Sequence, residues 1–422
     1  MEQVSSLKTG VKYKDTPIGK IPVDWEAVTL SQIAEINMGQ SPPSKDCNEQ
    51  GDGLPFYQGN AEFGSKYPSP QKWCKRSKKL ADEGDILISV RAPVGEINIA
   101  PHKCCIGRGI AAVQAKDIHD KFLYQSMLLY RKNLQKMAQG STFEAINRKE
   151  LAELLTLLPP FPEQEKIADI LTTVDDAIGK TTQIIEKTKE LKKGLMQRLL
   201  TRGIEHNKFK KTEIGEIPDE WEVVPLSKIL IGHKSRYGVY KERRLYGEGT
   251  QILKIGDVFQ KDFYSGEKAQ RLMLSERELI SNEVFPNDIL MAVASVKLEG
   301  VGEAMYVLRL NEKTAFDHNL ANIRTDHNKC NPKFLFYTLK SRIIRKRIES
   351  LCTKVGTTFL KASEIDKFLI PVPPLNEQHQ IAEILFELDA QIEKESNHKE
   401  QLETLKKGLM QVLLTGKLRV AV

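Results

Sequence analysis

The sequence has no apolar run near the roughly 18 residues that a membrane-spanning helix requires. Residues 1–16 are polar and lack a hydrophobic signal core. We therefore expect no membrane span and a cytoplasmic location. Cysteine is also scarce: none of the six cysteines forms a Cys-x-x-Cys pair, and the adjacent Cys104 and Cys105 cannot readily bridge each other. This usage predicts reduced thiols, some of them buried.

Catalytic motifs are missing as well. An adenine methyltransferase needs Asn or Asp before Pro-Pro-aromatic, because that side chain accepts a hydrogen bond from the adenine amine. Here Leu158 and Val372 precede the proline pairs. No Gly-x-Gly-x-x-Gly follows a strand pattern, since Gly107-Arg108-Gly109 is too short, and no Gly-x-x-x-x-Gly-Lys-Ser/Thr phosphate loop is present. We predict no catalytic residue.

Metal ligands are not predicted either. The spacing of His102, Cys104 and Cys105 fits no zinc site. Asp288 with Lys297 lacks the second carboxylate that a metal-dependent nuclease would need, so strand packing is the expected role of Asp288.

The chain does contain enough material for two domains, with 422 residues of which 40% are hydrophobic. Its 63 Lys and Arg residues outnumber the 56 Asp and Glu residues, which leaves a net charge of +7. This small excess is compatible with a polyanionic partner but identifies none.

An internal repeat organises the chain. Residues 16–33 and 212–229 are identical at eleven of eighteen positions, at an offset of 196. Residues 191–201 and 405–415 are identical at ten of eleven, at an offset of 214. The sequence between these landmarks diverges. A repeated scaffold with a variable surface indicates two copies of one fold that do the same kind of job on different targets.

Each variable region, about 16–158 and 212–372, has short apolar runs bounded by turn residues. These runs predict a mixed, mainly β domain, with strands at 85–90, 96–100, 288–293 and 303–308. Apolar residues spaced by three and four predict one helix at 120–138 and another at 332–350.

Two long helices are predicted next. After each proline pair, a segment of 39 residues without proline begins at Glu163 and again at Glu377, and would extend about 58 Å at roughly 1.5 Å per residue. Apolar stripes with spacings of three, four and seven favour a coiled coil between the two helices over separate surface helices. Four polar residues interrupt the stripes, namely Thr181, Thr188, Glu395 and Lys399.

This organisation resembles the specificity subunit of type I restriction-modification systems. The resemblance rests on IGxIPxxWE at 18–26 and 214–222, GDILISVRAPVG at 84–95, STFEAI at 141–146, PPFPEQEKIADIL at 159–171, PPLNEQHQIAEIL at 373–385 and the paired KKGLMQ endings. It covers essentially the whole chain. It implies an α+β fold with two mixed, mainly β target recognition domains separated by two long helices that form an antiparallel coiled coil. The implied segments are a first recognition domain at 1–158, a first long helix at 159–205, a second recognition domain at 206–372, and a second long helix with the C-terminal tail at 373–422.

The function implied by the resemblance is DNA recognition without catalysis. Each recognition domain would bind one half of a split, asymmetric site in double-stranded DNA, and the helices would set the spacer. Two modification subunits would dock on the helices and methylate adenine with S-adenosylmethionine, and restriction subunits would translocate and cleave DNA with ATP and magnesium. The second half lacks the Arg and Pro of SVRAPVGE at 89–96, so no role of Arg91 transfers to it, and Lys297 is the nearest basic residue.

Candidate DNA contacts are polar and basic residues of the variable loops, because base edges require donors and acceptors and phosphates attract Lys and Arg. In the first domain they are Ser44, Lys45, Gln58, Asn60, Lys66, Lys75, Arg76, Arg91 and Arg108, with Lys72, Lys78 and Lys79 in the same basic cluster. In the second they are Lys234, Arg236, Tyr237, Tyr240, Lys241, Arg243, Arg244, Lys254 and Lys297. The tract at 233–244, in which tyrosines interleave with basic residues, is the most typical of DNA binding.

Several residues have a structural interpretation. Trp25 and Trp221 are expected to be core anchors, because identical residues cannot explain different targets. The basic residues of the helix at 332–350, Arg342, Arg345, Lys346 and Arg347, are expected on a solvated face. Gly194 and Gly408 would permit the close approach of another backbone. Two rival functions stay open: a stand-alone methyltransferase or nuclease, and a helical scaffold with no DNA role.

Overall fold

The computed structural model describes residues 12–139, 145–352 and 358–421. Most of the STFEAI motif, at 141–144, lies outside these ranges. The chain forms two compact units. The first unit contains the chain up to Thr182 together with the residues from Asn397 onward, and the second unit is Gln183–Ser396. Each unit therefore contains one β-rich region and parts of both long helices.

The β-rich region of the first unit is built on two sheets. The four-stranded sheet has the order β10-β9-β12-β4 and the five-stranded sheet the order β5-β7-β6-β11-β8. The strands are β1 (Tyr13–Thr16), β2 (Gly19–Pro22), β3 (Glu26–Thr29), β4 (Ala34–Met38), β5 (Cys47–Asn48), β6 (Leu54–Tyr57), β7 (Lys72–Cys74), β8 (Leu80–Ala81), β9 (Ile86–Ser89), β10 (Ile97–Ile99), β11 (Cys104–Ile106), β12 (Ile110–Ala115) and β13 (Leu155–Leu158). The helices are α1 (Leu30–Ile33), α2 (Asp120–Gln139) and α3 (Arg148–Ala152), followed by the long helix α4 (Phe161–Arg202).

The second unit repeats this plan with different sheets. A five-stranded sheet has the order β17-β25-β21-β23-β19 and a three-stranded sheet the order β20-β18-β24. The strands are β14 (Phe209–Thr212), β15 (Gly215–Pro218), β16 (Glu222–Pro225), β17 (Arg236–Tyr237), β18 (Tyr246–Leu253), β19 (Phe263–Tyr264), β20 (Gln270–Leu272), β21 (Ile289–Ala292), β22 (Ala294–Ser295), β23 (Ala304–Val307), β24 (Thr314–Phe316), β25 (Leu320–Ile323), β26 (Thr358–Phe359) and β27 (Leu369–Val372). The helices are α5 (Ile255–Gln260), α6 (Glu276–Asn282), α7 (Pro332–Leu339), α8 (Arg342–Leu351), α9 (Ala362–Ile365) and the long helix α10 (Leu375–Leu413).

The predicted strands are confirmed as β9, β10, β21 and β23, and the predicted helix at 120–138 is confirmed as α2. Every residue of β9 and β21 is buried, as expected for apolar runs in the interior of a sheet. The strand after each Trp opening also pairs antiparallel with the last strand before the proline pair, β3 with β13 and β16 with β27. This pairing joins the beginning and end of each region.

The prediction of one helix at 332–350 was wrong, because α7 and α8 are separate helices. The interruption occurs at Ser341, whose backbone is extended (φ −70°, ψ 158°) and forms the N-cap of α8. Ser favours this position over the interior of a helix. Periodicity alone did not reveal the break, because apolar residues continue on the same face through α8, where Ile344 and Ile348 are buried.

The proline pairs do precede long helices, as predicted. The helix α4 begins directly after Pro160, and α10 directly after Pro374. In the first turn of α4, the Gln164 amide donates to the Pro159 carbonyl (2.8 Å) and accepts from the His119 backbone NH (2.8 Å). Gln378 makes the equivalent bonds to Pro373 and Asn331 in the second unit. The repeated Gln thus fastens the start of each long helix to its β-rich region.

Trp25 and Trp221 are core anchors, as predicted, and both are fully buried. The Trp25 indole NH donates to Glu163 Oε2 (2.9 Å), and the Trp221 indole NH donates to Glu377 Oε2 (3.0 Å). Both carboxylates lie in the first turn of a long helix, where the helix dipole favours negative charge. The repeated Trp and Glu residues therefore serve one purpose in each unit: they join the opening of the β-rich region to the helix that follows it.

The partners that complete these carboxylate sites differ. In the first unit, Arg419 contacts both Glu163 oxygens (2.7 and 2.8 Å), and this bonding raises the pKa of the guanidinium. In the second unit, His206 Nε2 and the Ile204 backbone NH each lie 2.9 Å from Glu377 Oε1. Arg419 follows the C-terminus of α10, which ends in the first unit. Ile204 and His206 follow the C-terminus of α4, which ends in the second unit.

The long helices pack against each other in antiparallel fashion within each unit. In the first unit, Asp175 of α4 pairs with Lys406 of α10 (2.6 Å) and accepts from the Gln125 amide of α2 (2.6 Å). In the second unit, Asp389 of α10 pairs with Lys192 of α4 (2.5 Å) and accepts from the hydroxyl of Tyr337 in α7 (2.7 Å). The same three-helix junction is thus built twice from repeat-related residues.

Two of the four residues that interrupt the apolar stripes are part of the helix packing. Thr181 and Thr188 are 5% and 8% exposed, so both belong to the buried side of α4. A Cβ added at Gly194 or Gly408 would meet nothing within 4 Å in the described chain, so no other segment of it approaches either glycine. No helix in the described ranges is long and apolar enough to cross a membrane.

Replacing Glu377 by Ala should destabilise the second unit. The change leaves the Trp221 indole, the Ile204 NH and His206 without their buried acceptor, and we expect a loss of about 2–4 kcal/mol in the free energy of unfolding. Chemical denaturation followed by tryptophan fluorescence measures this. Glu387→Ala, on the exposed side of α10, is the matched control and should change stability by less than about 0.5 kcal/mol. Equal effects of the two changes would contradict the anchoring role of Glu377.

Candidate nucleic-acid interface

A recessed polar surface on the first unit brings several candidate residues together. A cavity of about 830 Å³ is lined by Ser44, Gln58, Lys72 and Arg108, among others. A second cavity of about 750 Å³ is lined by the basic residues Lys75, Arg76 and Lys78. The two cavities share Ser41 and Pro42. Candidate residues that are distant in sequence therefore surround one surface, which we call the first polar surface.

The turn that carries Arg108 explains how this surface is held. A Cβ at Gly107 would lie 2.8 Å from Gln58 Oε1, and one at Gly109 would lie 2.6 Å from the Gln58 carbonyl oxygen. Only glycine permits this close approach. The Ser41 hydroxyl lies 2.9 Å from Gln58 Nε2 and accepts from the Arg108 backbone NH (3.4 Å). The Gly-Arg-Gly turn thus packs on Gln58 and leaves the Arg108 side chain exposed.

Other first-unit candidates lie outside the two cavities. Lys45 is exposed on the short 3-10 helix Ser44–Asp46, and Asn60 begins another at Asn60–Glu62. The Lys66 ammonium lies 5.5 Å from the centre of the Tyr67 ring. Arg91 has an exposed side chain, and its backbone pairs with Ala145. None of these four residues is among those that line the two cavities.

Sequence reasoning did not single out Ser41, which contacts both Gln58 and Arg108. The available signal was the symmetry of Ser41-Pro42-Pro43-Ser44, a rigid proline pair with a hydroxyl on either side. Lys75 was a candidate, but its ammonium lies 2.5 Å from Asp52. Because both groups are exposed, that pair contributes little energy and leaves Lys75 able to exchange partners.

In the second unit, the tract at 233–244 is held along a sheet edge. Ser235 is buried, and its backbone NH and hydroxyl both donate to Asp366 (2.8 Å each). Arg236 and Tyr237 form the edge strand β17, and Val239 is buried. Buried residues therefore interrupt the tract, and the neighbouring side chains of Lys234, Arg236 and Tyr240 are exposed.

The tyrosines of the tract have defined contacts. The Tyr237 hydroxyl accepts a hydrogen bond from the Ala362 backbone NH, and its ring centroid lies 6.0 Å from that of Phe359. Tyr240 is 71% exposed and packs edge-on against His318, with 4.8 Å between ring centroids. Tyr237 is thus fixed by neighbouring segments, whereas Tyr240 keeps a largely free ring face.

Two cations of the tract, Lys241 and Arg244, form ion pairs. Lys241 lies 2.5 Å from Glu278 and lowers the pKa of that carboxyl to about 2. Arg244 pairs with Glu242 (2.8 Å). Among the described residues, Lys234, Arg236 and Arg243 form no ion pair. The tract therefore presents three unpaired cations.

The two remaining second-unit candidates lie apart from the tract in sequence. The Lys254 ammonium bonds the amide oxygen of Gln270 (3.1 Å) and lies 4.7 Å from the Tyr246 ring centre. Lys297 is exposed at the N-cap of the 3-10 helix Leu298–Gly300, and its backbone NH donates to Ser295 Oγ (3.2 Å). Lys254 is partly satisfied within the fold, and the Lys297 ammonium extends into solvent.

The Asp288 carboxylate, which was the candidate for nuclease chemistry, is bonded to other residues of the fold. Asp288 is 1% exposed and receives both arms of the Arg324 guanidinium (2.7 Å each), the Asn322 amide (2.9 Å) and the Phe285 NH (2.8 Å). Burial and these four hydrogen bonds hold the Asp288 carboxylate within the fold, in agreement with the packing role predicted for it. Asp85 precedes β9 as Asp288 precedes β21, and is its counterpart in the repeat. No cation in the described ranges forms an ion pair with Asp85, and burial raises its pKa.

Nucleophilic and metal chemistry find no support in the described residues. All six cysteines carry free thiols, and burial raises the pKa of Cys104 to about 12 and that of Cys105 to about 11. A thiol with such a raised pKa is a poor nucleophile and a poor metal ligand at neutral pH. No group of three or more His, Cys, Asp or Glu side chains in the described ranges is arranged to hold a metal ion.

Comparison with known proteins gives consistent matches. The family model described as the type I restriction modification DNA specificity domain matches residues 22–190 and 218–404. The type I restriction enzyme MjaVIII specificity subunit of Methanocaldococcus jannaschii is 29% identical over 410 residues, which is 95% of this chain and 94% of that relative. A chain of the same organism described as the MjaX specificity subunit is 45% identical over 196 residues. That second match spans 46% of this chain and 46% of the relative, about half its length.

The fold also matches a solved structure. The crystal structure of the type I restriction-modification S subunit from M. genitalium has a TM-score of 0.63 at 15% identity. The match covers 97% of this chain and 98% of that one. At this identity the similarity concerns the fold: two β-rich regions, each followed by a long helix.

The two repeat-related aspartates should respond oppositely to neutralisation. The raised pKa of Asp85 means that the folded chain binds its proton more tightly than the unfolded chain. Its ionised form therefore lowers stability, and this deficit disappears as the pH falls through the folded-state pKa. We expect Asp85→Asn to raise the melting temperature at neutral pH but not in acid.

Asp288→Asn removes the charge paired with Arg324 and should cost about 3–5 kcal/mol. Thermal melts of both variants across a pH series provide the measurement. Destabilisation by Asp85→Asn at neutral pH would show that the charge of Asp85 is needed.

Proposed function

The chain belongs to the family of type I restriction-modification DNA specificity subunits, and from that premise we propose that each β-rich region reads one half of a split DNA site while partner subunits supply the chemistry. The proposal rests on one observation: the residues that the two halves share and the residues that differ between them lie in different parts of each unit. The shared residues, such as Trp25 and Trp221, join each region to its long helix. The residues that differ form exposed polar surfaces, so the two regions are suited to different half-sites.

The first polar surface has the chemistry for base reading. The Gln58 amide supplies a donor and an acceptor, the pattern that pairs with adenine, and the Arg108 guanidinium supplies the paired donors that suit guanine. Lys72, Arg76 and Lys78 around these groups suit phosphate contacts. Because the turn at Gly107 and Gly109 packs directly on Gln58, the Gln58 and Arg108 side chains start from neighbouring backbone positions, from which both would reach adjacent base edges.

The exposed side of the tract at 233–244 in the second unit has different chemistry. Lys234, Arg236 and Arg243 provide unpaired positive charge, and Tyr240 provides an exposed aromatic ring beside them. The buried Ser235 and Val239 fix the backbone on which the first two cations and the ring are carried. We propose that Arg236 reads a base edge and that Lys234 and Arg243 contact phosphates.

We further propose that the chain has no catalytic role of its own. Leu158 and Val372 precede the proline pairs and offer no acceptor to an adenine amine, and the buried Asp288 carboxylate is paired with Arg324. S-adenosylmethionine would be bound by two modification subunits, and ATP and magnesium by restriction subunits. The assembly would operate in the cytoplasm, together with the DNA that it methylates.

Labelled S-adenosylmethionine distinguishes this proposal from a stand-alone methyltransferase. The purified chain with DNA should transfer no methyl group, and transfer should begin when the modification subunit of the same system is added. Methyl transfer by the chain alone would overturn the non-catalytic role. A chain that binds the modification subunit but never DNA, across a salt series, would instead be a helical scaffold.

Adenine methylation mapped across a host genome should reveal a bipartite motif that depends on this chain. We expect Gln58→Ala to relax or abolish one half of the motif, at a cost of about 1–3 kcal/mol in discrimination, and to leave the other half unchanged. Gln114→Ala, at an exposed position of β12 in the same unit, is the matched control and should preserve the motif. Loss of both halves with Gln58→Ala would argue against separate readers.

A further inference from the structure

The basic residues of α8 fall into two groups. Arg345 lies against the body of the second unit, where its guanidinium donates to the carbonyls of Leu298 (2.8 Å), Val301 (2.7 Å) and Glu299 (3.2 Å). It is therefore a structural residue. Arg342, Lys346 and Arg347 are exposed and form no ion pair within the described residues. The prediction that these four basic residues lie on a solvated face is therefore wrong for Arg345.

The exposed group lines a groove. Arg342, Lys346, Arg347 and Lys367 surround an open space of about 710 Å³ with Glu213 as the acidic lining residue. Apolar residues, among them Ile343 and Leu369, also line it. The four cations outnumber Glu213 and the neighbouring Glu364, which pairs with Lys367 (2.8 Å). The groove therefore keeps a positive potential, which attracts an anionic ligand.

The groove is connected to the basic tract at 233–244 through the segment around α9. Glu364 bonds Lys367 (2.8 Å), and its pKa is lowered by that bond and further by the charges of Arg347 and Lys361. Two residues along, Asp366 accepts both hydrogen bonds from Ser235. One short segment thus contacts the groove on one side and the backbone of the tract on the other.

We propose that the α8 groove and the unpaired cations of the tract form one continuous surface that binds the DNA backbone. The proposal rests on the function proposed above and assigns phosphate contacts to Arg342, Lys346, Arg347 and Lys367. An extended row of cations suits the regularly spaced phosphates of a duplex. The tract then supplies base contacts, and the groove holds the second region in register on the duplex.

The test is the salt dependence of DNA binding by the assembled complex with its modification subunits. The probes are a duplex that carries the motif mapped from genomic methylation and the same duplex with both half-sites scrambled. For Lys346→Gln/Arg347→Gln we expect affinity to fall roughly 10-fold on both duplexes near about 100 mM salt. We also expect the slope of log affinity against log salt to become shallower by about 0.9 for each lost phosphate contact.

The control is Lys268→Gln/Lys313→Gln, which removes the same charge from exposed lysines of the second unit that do not line the groove. It should leave affinity and slope close to those of the unaltered complex. Unchanged affinity and slope in the α8 variant would overturn the proposal. Loss of modification subunits from the α8 variant, measured by size-exclusion chromatography, would also overturn it and assign the groove to protein docking. Failure of the unaltered complex to prefer the mapped duplex would instead refute the function proposed above.

Discussion

The assembly of each unit depends on a buried carboxylate in the first turn of its long helix. An ionised carboxylate removed from water is unfavourable unless charge and hydrogen bonds compensate it. Glu163 is compensated by the Trp25 indole and Arg419, and Glu377 by the Trp221 indole with its neighbours. Each unit thus requires the opening of a β-rich region, the start of one long helix and the chain beyond the end of the other. Neither half of the repeat supplies all three parts of its own unit.

The aspartates in the helices extend the same principle. Asp175 and Asp389 each join the two long helices to a helix of the β-rich region, and in both units the lysine comes from the other repeat. Because these contacts use repeated residues, the scaffold is independent of the loops that differ between the two halves. The surfaces around Arg108 and Arg236 can therefore differ without loss of the helical framework.

The candidate interface was only partly accessible from sequence. Composition identified the basic loops, and the Gly-Arg-Gly turn does place Arg108 beside Gln58, although the two residues are far apart in the chain. Lys66 is not among the residues that line the two cavities of the first polar surface. Lys241 is paired with Glu278. Such outcomes depend on which distant residue lies opposite a given side chain, and a one-dimensional pattern of charge contains no information about that.

Local patterns alone determined the repeat, the two long helices and the central strands, because hydrophobic periodicity and proline positions act over a few neighbouring residues. They failed at Ser341, where an N-cap interrupts an otherwise continuous apolar face. The tertiary structure alone decided which cations are free, which carboxylates are saturated and which loops share a surface. Those properties arise from pairs of groups brought together by folding, and their energies depend on burial and distance, which emerge only when the chain has packed.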